Sequence, residues 1–248
     1  MFNAREEKDK IIEFIRTYFK ENNLGGVVIG ISGGKDSGVV AGLFSEALGS
    51  KNVVGVWLPC HSKEKDYEDA RRVSDRYGFP LINFDLTGIF DRFKDEVELL
   101  DVDSKHLVNS DINLKPRLRM SSLYYLAAMY SSLKEKTYVV AGTGNKCEIY
   151  VGYYTKGGDG VSDINVLADL TVDEVIKIGE EVNVPKEVLY KTPDDGLSGQ
   201  SDEEKLGVKY SDITKVINEE EVDKEIEDKI KRLHKNNLHK LNVVKYLK

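Results

Sequence analysis

Cysteine is scarce in this chain. There are two, Cys60 and Cys147, far apart and without a CxxC pair. A disulfide framework and a cysteine-built metal cluster are therefore unsupported, and reduced cytoplasmic thiols are the expectation. Long apolar runs are also missing. No stretch approaches the ~18 residues that suggest a membrane span, and the N-terminal MFNAREEKDK lacks the apolar centre of a secretory signal. Positive charge is in deficit: 36 Lys and Arg stand against 43 Asp and Glu, for a formal net charge of −7. That argues against a general nucleic-acid surface, although an anionic small molecule needs only a local basic pocket. No repeat, low-complexity tract or linker interrupts the sequence. With 248 residues and 40% apolar content, residues 1–248 read as one globular domain.

What is present alternates. Apolar runs at 27–31, 53–58, 80–84 and 137–141 read as strands. Helical patterns at 36–48, 63–77 and 116–134 lie between them, and an amphipathic helix covers residues 5–20. This order predicts an α/β fold, a parallel sheet with helices on both faces, whose ligands sit beyond the carboxyl ends of the strands. Thr171 to Glu174 fits a capping box that opens another helix, and 212–236 reads as a charged helix. The glycine-rich segments 153–165 and 191–204 read either as lids or binding loops or as plain surface loop.

The segment Gly30-Ile31-Ser32-Gly33-Gly34-Lys35-Asp36-Ser37 follows the first strand and precedes a helix. Glycines there allow close approach to an anion, and the N–H groups of a helix start point at it. A Walker loop is excluded, because Lys35 is followed by Asp36 and position 29 is Ile. Ser-Gly-Gly-x-Asp-Ser instead resembles the loop of the ATP pyrophosphatase superfamily, which cleaves ATP between the α and β phosphates. The competing reading is a turn that only reverses the chain.

Further motifs narrow the resemblance. They are Asn113 to Met120, Gly142 to Glu148, Gly152 to Gly160 with Asp163 to Asn165, Pro193 to Glu203, and a late His239-Lys240. In that order they resemble the ammonia-dependent NAD synthetases, over nearly the whole chain. The resemblance implies a Rossmann-like, adenine nucleotide α-hydrolase-like architecture and a homodimer. It also implies ATP- and Mg²⁺-dependent amidation of nicotinate adenine dinucleotide (deamido-NAD) by free ammonia, through an acyl adenylate, with release of AMP and pyrophosphate. Gly30, Ile31, Ser32, Gly33, Gly34, Lys35, Asp36, Ser37, Thr143 and Asp194 would then meet ATP. Arg117, Lys156, Asp163, His239 and Lys240 would meet deamido-NAD, and Asp36 and Glu148 would hold the metal. Taken alone, Arg117, Glu148 and His239 would each pass as surface residues.

Two departures stand out. A family lysine after the threonine of the Leu-Thr segment is Val172 here, so Lys177 or Lys191 serves in its place, or no cation does. Pro193-Asp194 puts a carboxylate where a hydroxyl is usual, unfavourable beside phosphates unless a cation intervenes. Another adenylating ligase and a non-enzymatic ATP-sensing module are the competing classes. The first would show a cysteine cluster or a basic face; the second would release no pyrophosphate.

Overall fold

The computed structural model describes residues 2–191 and 201–241. Helix α1 (Ala4–Glu21) buries Ile11, Ile12, Ile15 and Phe19, and the Asn3 side chain caps it by accepting from the Glu6 N–H at 3.2 Å. Strand β1 (Leu24–Gly30) leads into α2 (Lys35–Leu48), and β2 (Val53–Trp57) into α3 (Glu64–Tyr77). Then β3 (Leu81–Asn83) is followed by α4 (Thr87–Glu98) and the long α5 (Val108–Lys134), which returns the chain to β4 (Thr137–Ala141). Beyond the sheet come α6 (Lys146–Val151), α7 (Val172–Glu181) and α8 (Lys186–Leu189). The last described elements are α9 (Asp202–Leu206), α10 (Tyr210–Ile217) and α11 (Lys224–Leu241).

The four strands are all parallel, in the order β3-β2-β1-β4. Alternation along β1 decides which face each residue serves. Val27 and Ile29 point into a core with α1, α2, α3 and α7; Val28 points into a second core with Val54, Val56, Val140 and the buried side of α5. Burial on both faces explains why these strands read as continuous apolar runs. Chain order reverses between β1 and β4, and that switch point is where such sheets hold ligands.

The expected α/β sheet with helices on both faces is present, with differences in detail. The helix expected to open at residue 116 starts eight residues earlier, so Pro116 lies inside α5. Proline at the first turn is the common case, which is why the sequence suggested a start there. The expected helix over 212–236 is two helices, α10 and α11, separated where Glu219 takes a φ of 60°. α4 had no counterpart in the sequence pattern, because only Phe90 of its residues is buried. Segment 153–165 lacks regular structure but is well tied: Asp159 accepts from the Thr155 N–H at 2.8 Å, and Thr155 Oγ1 donates to Asn113 Oδ1 at 2.9 Å. Of segment 191–204, residues 192–200 lie outside the described residues.

Gly33 fixes the approach of the loop to α3. Its φ is +80°, and a Cβ there would stand 2.5 Å from the Asp66 carbonyl oxygen. Gly33→Ala is expected to destabilise the protein by about 1–3 kcal/mol, combining left-handed strain with a backbone clash. A thermal melt checks this, and an unchanged midpoint would contradict the packing described.

Candidate active site

The loop after β1 is held by its own hydroxyls. Ser37 Oγ donates to the Gly34 carbonyl at 3.0 Å and accepts from the Ser32 N–H at 3.2 Å. Ser32 Oγ accepts from the Gly34 N–H at 3.2 Å and, with Ser37's single proton already used, donates to Ser37 Oγ at 3.1 Å. Gly34 occupies the cap position of α2 without a capping side chain. The first-turn N–H groups of α2 therefore retain their affinity for an anion.

Behind the loop sits a charged cluster. Lys35 is only 6% exposed, and its Nζ donates to Asp36 Oδ2 at 2.9 Å. Burial opposes its charge, but Asp36 and Glu148 hold the ammonium above its ordinary range. Asn145, fully buried, connects the two carboxylates: its Nδ2 donates to Asp36 Oδ1 at 3.2 Å, and its N–H donates to Glu148 Oε2 at 3.0 Å. The second contact is half of the capping box that starts α6. Glu148 as a residue is half-buried, but its carboxylate lies among Asp36, Lys35 and Asp202. Burial first, and Asp36 next, push it up to about 8. Tyr210 stands beside this cluster with a buried hydroxyl that has no partner among the described residues, and burial with the neighbouring carboxylates pushes its phenol up. A hard cation is usually held by one or two carboxylates and waters. A carboxyl that burial and a second carboxylate push toward its protonated form is the donor set that fits one. Among the described residues no group of three or more His, Cys, Asp or Glu has the arrangement to hold a metal ion by itself.

A cavity of about 350 Å³ opens at the ends of β1, β2 and β4. Its walls include Gly30, Ile31, Ser32, Gly34, Lys35 and Asp36 from the loop, and Thr143 after β4. Gly33 and Ser37 support the loop from behind. The sequence reading passed over Arg119, Asp66, Asp159 and Asp202, all of them in the same walls. The Arg119 Nε donates to the Leu58 carbonyl at 3.0 Å, and burial lowers its pKa. Its spacing from Arg117 puts the two on different sides of α5, a signal the sequence did carry.

The residues expected to meet deamido-NAD are outside these walls; Arg117, Lys156, His239 and Lys240 form their own group, and Asp163 stands apart from it. The Arg117 Nε donates to the Lys156 carbonyl at 3.2 Å, and Lys156 Nζ donates to the His239 carbonyl at 2.7 Å. Lys240 Nζ donates to the carbonyls of Gly152 at 2.6 Å and Tyr154 at 2.9 Å. Asp163 accepts from the Val140 N–H at 2.8 Å and the Tyr124 hydroxyl at 3.1 Å. Arg117, Lys156 and His239 are exposed, so a basic surface borders the start of the segment between α6 and α7. Asp194 lies outside the described residues.

A parallel sheet whose switch-point loop, uncapped helix and paired carboxylates enclose one cavity defines a nucleotide-binding α/β protein of the pyrophosphatase-loop type. The family described as NAD synthase matches residues 7–245. An NH(3)-dependent NAD(+) synthetase of Methanococcoides burtonii is 42% identical over 214 residues, 86% of this chain and 78% of that one. Among solved structures, an NMN synthetase from Francisella tularensis superposes with a TM-score of 0.89 at 28% identity, over 100% of this chain and 99% of that one. An NH3-dependent NAD synthetase from Campylobacter jejuni, in complex with the nitrate ion, superposes at 0.78 and 27% identity, with both chains covered completely. The chain belongs to the NAD synthase family.

Glu148 retains its proton in the fold up to about pH 8, whereas its ordinary value is 4.5. Between those values the native state binds more protons than the unfolded chain, so this group's contribution to stability falls as pH rises from about 4.5 through about 8. Glu148→Gln keeps the acceptor for the Asn145 N–H and removes the titration. Without divalent cations it should melt higher than the native protein at pH 8.5 and flatten the profile between pH 6 and 9. Parallel profiles for the two proteins would count against this burial.

Proposed function

We propose that this chain is an ammonia-dependent synthetase that amidates the nicotinate carboxylate of deamido-NAD to give NAD. The observation that carries the reading is the Ser32–Ser37 loop opening onto a carboxylate-walled cavity in a chain that matches NAD synthase across nearly its whole length. The substrate carboxylate attacks the α-phosphorus of ATP, the bond to the bridging β-oxygen breaks, and pyrophosphate leaves with the electron pair. Ammonia then adds to the acyl carbon, AMP departs, and one proton is released. No side-chain nucleophile is required, because ATP makes the electrophile. The protein positions the reactants and stabilises charge on the leaving group.

The parts divide as follows. The α2 N-terminus and the Ser32–Gly34 turn receive phosphate oxygens, and Thr143 faces them across the cavity. Asp36 and Glu148 would hold magnesium, which when bound neutralises charge on pyrophosphate. Arg117, Lys156 and His239 offer the basic surface for the anionic substrate, and Lys240 holds the segment that presents Lys156. We read residues 1–248 as one synthetase domain, working in the cytoplasm, where both buried, unpaired thiols remain reduced. Among the described residues no helix is long and apolar enough to cross a membrane.

A second substrate reading has its own support. The backbone follows the mononucleotide-named Francisella synthetase at a TM-score of 0.89, against 0.78 for the dinucleotide-named Campylobacter one. Nicotinate mononucleotide carries the same carboxylate, so the chemistry is unchanged and only the extent of the substrate differs. The full protein with ATP, Mg²⁺ and ammonium should form AMP, pyrophosphate and an amide. The ratio of kcat/KM for the dinucleotide and the mononucleotide decides between them. ADP and phosphate as products would reject both. Asp36→Asn keeps the side chain's shape in the first turn of α2 and removes only its charge; it should abolish adenylylation, with circular dichroism checking that the fold is retained.

A homodimer is part of this reading. α5 buries Met120, Leu123, Leu126 and Ala127 on the sheet, while Tyr125 and Leu133, with Met129 between them, are 69% and 66% exposed on another face. Apolar residues four apart on a bare helix suit a symmetric contact with a second copy. The double substitution Tyr125→Glu with Leu133→Glu should turn a dimer into a monomer in sedimentation. A native protein that sediments as a monomer at micromolar concentration would reject the dimer.

A further inference from the structure

Lys191 is the cation best placed to move within the site. Its Nζ lies 2.8 Å from Asp66 Oδ1 and 2.8 Å from Asp69 Oδ2, with the side chain 24% exposed. Burial works against the charge, and the two carboxylates hold it above the ordinary lysine range. Asp66 belongs to the first turn of α3, the turn against which Gly33 packs. The ammonium is therefore stored next to the phosphate loop. Lys191 also lines the main cavity and an adjoining one of about 330 Å³, which share Lys35, Lys191 and Asp202.

Two other candidate lysines are committed or distant. Lys35 is buried against Asp36. Lys177 is exposed, with its Nζ 6.0 Å over the ring of Phe2, on α1's side of the molecule. Val172 lines the second cavity and brings no charge. Lys191 can leave its carboxylates cheaply. Asp69, 2% exposed, also accepts from Arg72 Nη1 at 2.6 Å and would remain paired. Asp66 faces the cavity and would be solvated. A lysine, a compact point charge on a flexible stem, suits such an exchange better than a planar guanidinium.

Resting on the reading of this cavity as an ATP site, we propose that Lys191 exchanges its Asp66–Asp69 clamp for the β- and γ-phosphates of ATP, and so receives the charge of departing pyrophosphate. The test measures binding, not turnover. The full-length protein with Mg²⁺ is titrated calorimetrically with α,β-methylene ATP, which cannot be cleaved at the reacting bond, and with AMP, which lacks the outer phosphates. Lys191→Met and Lys191→Gln, the latter able to hydrogen-bond both aspartates, should bind the ATP analogue about ten- to hundredfold more weakly, the scale of a lost charge-assisted contact. AMP binding should be unchanged, and Lys191→Arg should regain most of the loss. Asp66→Asn, which loosens the clamp, should bind the analogue as well as the native protein or better. Equal losses for the analogue and AMP, no loss for either, or a loss in Asp66→Asn matching that of Lys191→Met would reduce Lys191 to a structural tie and overturn the proposal. A native protein that fails to bind the analogue would overturn the ATP reading itself; binding by native protein and Lys191→Met alike would overturn only the role of Lys191.

Discussion

Lys35, Asp36 and Glu148 lie together beneath the glycine loop, and burying three ionisable groups in one place is costly unless each has a partner. Asp36 has Lys35 and Asn145; Glu148 has the N–H of Asn145 and keeps a proton. The rest of the site follows from this arrangement. Asn145 must be buried at the end of β4 to reach Asp36 on α2, so β4 must adjoin β1, and the strand order must reverse there. The loop is thereby locked between α2 and α6, and its N–H groups face a cavity in place of solvent. The cluster in the ligand-free protein carries one positive charge too few for its carboxylates, and the fold accepts this imbalance where a metal or phosphate chemistry makes use of it.

The residues described as buried were largely legible in advance. Val27 to Ile29, Val53 to Trp57 and Tyr138 to Ala141 are apolar because both faces of the sheet are covered, and such runs stand out in a sequence. Thr171 with Glu174 forms the expected capping box, since that signal is local. Elements held by few buried residues were not legible: α4 shows one buried side chain, Phe90, and leaves Ile89 and Phe93 half-exposed among charges. Pro116 misled because proline at a helix start and proline inside a long helix look the same without the preceding turn. In the site, the loop announced itself through contiguous residues. Asn145, Arg119 and Asp66 did not, because their partners are 109, 61 and 125 positions away, and a sequence has no marker for contacts at that range.

The loop after β1 and the basic group, read above as the two halves of a substrate site, are built differently. The nucleotide half is rigid backbone, a helix start and a turn set by a left-handed glycine. The basic half is assembled from side chains that reach across to main-chain carbonyls: Arg117 to residue 156, Lys156 to residue 239, Lys240 to residues 152 and 154. Backbone dipoles suit phosphates that every substrate shares, whereas side chains can be exchanged to alter which nucleotide fits.

The hydrogen bonds from α11 onto segment 150–154 have a consequence in time. His234 stacks on Tyr150 and contacts its carbonyl, Asn237 donates to the Val151 carbonyl, and Lys240 spans Gly152 and Tyr154. Each partner is made 84 to 88 residues after the carbonyl it satisfies. While the chain is being synthesised, the sheet, the loop after β1 and the Asp36–Glu148 pair can all be in place before the basic group has its supports. A nascent chain thus acquires a nucleotide pocket early and a complete site only when α11 docks.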